Sequence, residues 1–156
     1  MTAHLVPEIL VIDDYSTDAN LARRAIEECN GTHCKVKVIE DPAEAVRYLR
    51  AAASGHRLPA LIVMDYRMPM NGGNAISVVR GDPALGHIPI LVISAAVGPD
   101  ELCNVYQLGA NVCYSKPIDF TGYKRLFKEV LPHWLSLASL PICTPPRSAR
   151  SQASTA

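Results

Sequence analysis

The stretch Ile9-Leu10-Val11-Ile12-Asp13-Asp14 decides the fold: four unbroken aliphatic residues, then two carboxylates. Consecutive aliphatics leave no polar side chain for a solvated sheet face, so the run fits a strand covered on both faces, as in a parallel α/β sheet. Four more short apolar runs follow: Val36–Ile39, Ala60–Met64, Ile88–Ile93 and Val112–Tyr114. Most of them are continuous rather than alternating.

The intervening segments carry helical spacing. Leu21, Ala22, Ala25, Ile26 and Cys29 form a stripe at three- and four-residue intervals, the signature of a helix with one buried face. A second helix has a start signal in Asp41, Pro42 and Glu44, placed as N-cap, first helical residue and capping-box acid. Further helices are expected within Ala75–Arg80, within Pro99–Leu108 before Gly109, and from about Asp119 to Leu131. Strands alternating with helices predict a doubly wound, five-stranded parallel sheet with right-handed crossovers.

The folded unit is expected over residues 1–140, with a core at about 8–131 and an apolar extension at 132–140. The stretch Pro141–Ala156 has three prolines and three serines and little to build a core, so it reads as a disordered tail. Fifteen Lys plus Arg balance fifteen Asp plus Glu, and the lack of a dense basic run argues against nucleic-acid binding. Five scattered cysteines without a CxxC pair fit neither a disulfide framework nor a zinc site and suit a reducing compartment. No apolar run approaches the roughly 20 residues of a membrane span, and no signal-type segment opens the chain. A cytoplasmic protein is the expectation.

Polar residues concentrate at strand ends. The first strand ends in Asp13 and Asp14, the third in Asp65, the fourth in Ser94, and Lys116 follows the fifth. In an open parallel sheet that rim is where ligands bind. Each residue alone has an ordinary reading as a helix cap, turn residue or solvated loop residue; their joint occurrence in strand order does not. Crowded carboxylates repel, so at least one has a raised pKa unless a cation intervenes, and Mg²⁺ is the natural one, being hard and oxygen-seeking. A carboxylate can attack phosphorus, while a cation, an amine and a hydroxyl steady the phosphoryl oxygens.

The segments Ile9–Asp14, Asp65-Tyr-Arg-Met-Pro69, Ile90-Leu-Val-Ile-Ser-Ala95 and Lys116-Pro117 resemble the signature of response-regulator receiver domains. The spacings of 29 residues from Asp65 to Ser94 and 22 from Ser94 to Lys116 match as well. The resemblance covers roughly Glu8–Leu131 and implies a flavodoxin-like receiver fold. It implies a phosphoacceptor rather than an enzyme, assisting its own phosphorylation and dephosphorylation and taking the phosphoryl group from a histidine kinase onto Asp65. It further implies Asp14, Asp65 and the Arg67 backbone carbonyl as direct Mg²⁺ ligands, with Asp13 acting through water. Lys116 would contact the phosphoryl group, the Lys116–Pro117 bond would be cis, and Ser94 would be the hydroxyl switch.

A narrower likeness, carried by Gly109–Phe120 and Trp134-Leu-Ser, is to single-domain regulators partnered with phytochromes. It implies a phytochrome kinase as donor; with no output domain expected after the receiver, the signal would pass by protein contact. Helix five and the extension carry more apolar residues than one sheet-facing stripe needs, which together with this likeness predicts a homodimer. The dimer face would be helix four, strand five and helix five, using Tyr123, Phe127, Val130, Trp134 and Leu135. Two departures stand out. Receivers usually carry an aromatic three residues before the lysine, where this chain has Cys113, with Tyr114 next to it. Either the switch is altered, which we favour, or a bulge restores Tyr114. Gly72 also replaces a commonly acidic loop residue.

Other functions fit less well. A dehalogenase-type phosphatase would want Asp-x-Asp after the first strand, and a flavodoxin-like cofactor binder would need a glycine- and hydroxyl-rich phosphate loop there. A degenerate receiver serving as a binding scaffold is the remaining alternative.

Overall fold

The computed structural model describes residues 6–29, 33–68, 72–95 and 97–137. Strands and helices alternate: β1 (Glu8–Ile12), α1 (Ser16–Glu27), β2 (Lys35–Ile39), α2 (Pro42–Ser54), β3 (Leu61–Asp65), α3 (Gly72–Gly81), β4 (Ile90–Ser94), α4 (Pro99–Leu108), β5 (Val112–Ser115) and α5 (Phe120–Pro132). A wide π-type turn, His133–Leu137, continues α5. Pro69, residues 138–140 and the segment from Pro141 onward lie outside the described residues.

All four strand pairings are parallel, in the order β2-β1-β3-β4-β5. The chain leaves β1 toward one edge and returns at β3 to build toward the other. The crevice between β1 and β3 is therefore the switch point of the sheet.

Alternation along each strand divides the core into two layers. Leu10, Ile12, Ile62, Met64, Ile90 and Val92 meet α2, α3 and α4, whereas Ile9, Val11, Leu61, Val63, Leu91 and Ile93 meet α1 and α5. Both faces are covered, which is why residues 9–12, 61–64 and 90–93 in the central strands are apolar throughout. β4 begins two residues later than the apolar run does, because Pro89 has no N–H for the ladder and the Ile88 N–H closes a turn on the Leu85 carbonyl. Asp41 caps α2 by accepting the Ala43 N–H at 3.0 Å.

The α5 stripe corrects the expected dimer face. Tyr123, Phe127 and Val130 are only 2%, 1% and 8% exposed, because they are spent on the sheet. Trp134 and Leu135 are half-buried against the same layer. Tyr123, Phe127 and Val130 are therefore not free to build that contact surface.

Arg80, at the end of α3, ties the edge opposite the strand ends that carry Asp13 and Asp65. Its Nε donates to the Gly109 carbonyl (2.7 Å), its Nη1 to the carbonyls of Gly86 (3.1 Å) and Ile88 (2.7 Å), and its Nη2 to Asn111 Oδ1 (2.7 Å). Asn111 Oδ1 also accepts the Ile90 N–H at 2.8 Å. Gly109 is required there twice over: its φ is +113°, and a Cβ would lie 2.6 Å from Arg80 Cγ. Arg80→Ala strips the bonds from several carbonyls at once and should cost about 2–4 kcal/mol of stability in urea unfolding. Arg80→Lys should recover less than half, since an ammonium cannot reproduce the fork.

Candidate functional site

At the crevice rim the sheet brings the sequence-predicted residues together. Only three polar or charged residues are buried among the described residues, and they are Asp13, Asp65 and Ser94. Carboxylate oxygens of Asp13, Asp14 and Asp65 all lie within 4.8 Å of one another. Asp14 is exposed at the mouth.

Lys116 reaches into this cluster from beyond β5. Its Nζ lies 3.0 Å from Asp13 Oδ2, 2.9 Å from Asp65 Oδ2 and 2.7 Å from Asp18 Oδ2. The backbone positions it, because the Lys116 N–H donates to the Ser94 carbonyl at 2.8 Å and so extends the β4–β5 ladder by one bond. Backbone also orients the acids: Asp13 Oδ1 accepts the Tyr15 N–H (3.0 Å) and Asp65 Oδ1 accepts the Arg67 N–H (3.1 Å).

The charges here are unequal in comfort. Burial pushes the Asp13 carboxyl up to about 6, opposed by the Tyr15 N–H and the Lys116 ammonium and aided by the Asp65 charge. Burial alone would lower the Lys116 amine, but its contacts with Asp18, Asp65 and Asp13 outweigh that and hold it well above an ordinary lysine. One resident cation therefore faces four acids, counting Asp14. An all-oxygen donor set short of positive charge fits a hard divalent cation.

Asp18 was not expected. It lies four residues after Asp14, one turn into α1, and that spacing was the available signal. Glu101 was missed as well: its Oε1 accepts from Ser94 Oγ (2.7 Å) and from Arg67 Nε (3.2 Å), and its Oε2 accepts from Arg67 Nη2 (2.6 Å). Arg67 holds the Glu101 carboxyl below the usual carboxylate range.

On the far side of the site one expectation changes, and the favoured reading of β5, without a bulge, holds. The Lys116–Pro117 bond is trans, as no described peptide bond is cis. Trans is the lower-energy isomer even before proline, and Lys116 reaches all three acids from it. No bulge restores Tyr114 either: β5 pairs with β4 in continuous register, Val92 opposite Cys113 and Ile93 opposite Tyr114. Cys113 consequently packs in the α4 layer and Tyr114 in the α5 layer. An aromatic from α4 also meets Cys113: the Tyr106 hydroxyl accepts the Cys113 N–H at 3.2 Å.

A five-stranded 2-1-3-4-5 sheet with this acid–lysine–serine rim defines a receiver domain. The family model for the response regulator receiver domain matches residues 9–128, and the chain belongs to that family. It is 30% identical over 129 residues to the probable methanogenesis regulatory protein FilR2 of Methanothrix harundinacea, spanning 81% of this chain and 83% of that protein. It is 29% identical over 125 residues to the two-component response regulator ORR8 of rice, spanning 80% of this chain and 98% of that protein. Among solved structures it resembles the phosphorylated cyanobacterial phytochrome response regulator RcpA. The TM-score is 0.79 at 26% identity, covering 88% of this chain and 99% of that one. The protein is a receiver-type response regulator of two-component signalling.

Because Asp13 has a folded-state value of about 6 against about 3.9 unfolded, its contribution to stability is full below the unfolded value and is lost as pH rises through 6. Asp13→Asn should therefore stabilise the metal-free protein at pH 7 by about 1–3 kcal/mol. The gain should shrink toward pH 5. Thermal melts of both proteins across that range, in a chelator, check the sign.

Proposed function

We propose that this protein accepts a phosphoryl group on Asp65 from the phosphohistidine of a sensor kinase, with Mg²⁺ as the accompanying cation. The observation that carries the reading is the contact of Lys116 Nζ with Asp65 inside a cluster of three mutually close carboxylates at the switch point of the sheet.

An Asp65 carboxylate oxygen forms the new P–O bond as the donor's P–N bond breaks, and the electron pair of that bond returns to the imidazole nitrogen. Asp65 is held for this by the Arg67 N–H on one oxygen and Lys116 on the other. The Lys116 ammonium can follow the developing charge onto a phosphoryl oxygen, since three acids already keep it protonated at the rim. Ser94 offers a hydroxyl from the end of β4. Asp14, Asp65 and the Arg67 carbonyl would hold the cation directly and Asp13 through water; when bound it neutralises phosphoryl oxygens.

The likeness to RcpA favours a phytochrome kinase as donor, with output by contact between proteins in the cytoplasm. Self-association is part of the reading, but with the exposed Leu102 and Tyr106 of α4 as apolar contacts in place of the α5 stripe. Light scattering at tens of micromolar should then report a dimer that Leu102→Glu returns to monomer; a monomeric parent protein removes that part of the proposal.

Incubation with a small-molecule phosphodonor and Mg²⁺ should add the mass of one phosphoryl group, in an acid-labile form. Asp65→Asn should abolish the adduct. A comparable adduct in that variant would place the site elsewhere, and no adduct on the parent protein would favour the scaffold reading.

A further inference from the structure

Ser94 is wholly buried, and its hydroxyl is committed to α4 through the 2.7 Å bond to Glu101 Oε1. That carboxylate is doubly used. It also grips the Arg67 guanidinium through both oxygens, at 3.2 and 2.6 Å, and Arg67 stands two residues beyond Asp65, with its N–H on Asp65 Oδ1. One acid in the first turn of α4 thus ties the end of β4 to the loop that leaves the end of β3.

A serine hydroxyl has a single proton to donate. While Glu101 holds it, that proton is not available to an oxygen placed on Asp65. The bond is also charge-assisted and closes onto a fully buried donor, which puts it among the stronger hydrogen bonds of the molecule. Breaking it requires an acceptor at least as charged, and a phosphoryl group is one. Glu101 and a phosphoryl group therefore compete for the same proton.

We propose that Glu101 is a positioning residue that latches Ser94 away from Asp65, so that phosphorylation must draw the hydroxyl off α4 and leave Glu101 held by Arg67 alone. The proposal rests on the phosphoacceptor reading above. The consequence is mechanical: α4 is tied both to the end of β4 and to the β3 loop in the unphosphorylated protein, and it loses the tie to β4 when Ser94 changes partner. Tyr66 adds to the same attachment, because its hydroxyl accepts from Asn104 Nδ2 at 2.7 Å, so the two side chains that follow Asp65 both hold α4.

The test uses the full chain with Mg²⁺ and beryllofluoride as a phosphoryl mimic, with bound probe followed by ¹⁹F NMR and folding verified by thermal melts. Removing the competitor should tighten binding, so Glu101→Ala should lower the half-saturating beryllofluoride concentration about tenfold. Glu101→Gln, which keeps the shape and a neutral acceptor, should give a smaller gain of about threefold and serves if the alanine variant is poorly folded. In a Ser94→Ala background the Glu101→Ala gain should fall to about twofold or less, because the proton being contested is gone. Unchanged affinity in both Glu101 variants would overturn the latch. So would an equal gain with and without Ser94, which would make Glu101 a plain electrostatic or structural residue. A wild-type protein that binds no beryllofluoride would instead overturn the phosphoacceptor reading, and the latch with it.

Discussion

One ammonium group organises this molecule's functional rim. Lys116 Nζ lies within 3.0 Å of carboxylate oxygens from the β1 end, the third residue of α1 and the β3 end. Without it, Asp13 and Asp65, both less than 8% exposed, would face one another as like charges in a poorly solvated crevice, a costly arrangement. The sheet order makes the meeting unavoidable, since β1 and β3 are neighbours at the centre and β4 delivers the β5 loop alongside them. Fold stability and site chemistry are therefore opposed here. The core is apolar along residues 9–12, 61–64 and 90–93, and the residues that follow, Asp13 and Asp65, bury charge that one lysine only partly offsets.

Much of this was legible in the sequence. Continuous aliphatic runs fix the parallel sheet because both faces must be covered, and the polar residues that end those runs can only fall on one rim. Asp13, Asp14, Asp65, Ser94 and Lys116 are found by that rule alone. Side chains that enter the site from helices are harder to read. Asp18 and Glu101 each sit in a first turn, where an acid is ordinary on account of the helix dipole, so neither stood apart from its background. Arg80 was hidden for a different reason: its acceptors are backbone carbonyls, which leave no mark in a sequence. Tyr123, Phe127 and Val130 of the expected dimer face are spent on the sheet, because the area the α1–α5 side of the sheet needs to cover it cannot be counted from periodicity.

The far side of the rim departs from the usual receiver plan. Cys113 occupies the place of the aromatic on β5, and burial pushes its thiol up. The structure answers with Tyr106 from α4, whose hydroxyl meets the Cys113 N–H from outside the strand. Aromatic contact with β5 thus depends on where α4 sits. α4 is in turn fastened to the rim by Glu101 and Asn104. Tyr106 is carried by α4 itself, so its contact with β5 is set by the position of that helix.

The balance of charge around Lys116 gives the most direct test of this account. If the three carboxylates are held together by that ammonium, Lys116→Met leaves them under-neutralised. Calorimetric titration of Mg²⁺ into the metal-free protein should then show tighter binding in the variant, by about tenfold, together with a lower melting temperature before metal is added. Equal or weaker Mg²⁺ binding in a folded variant would contradict the account, because it would mean that the acids are kept together by something other than the lysine.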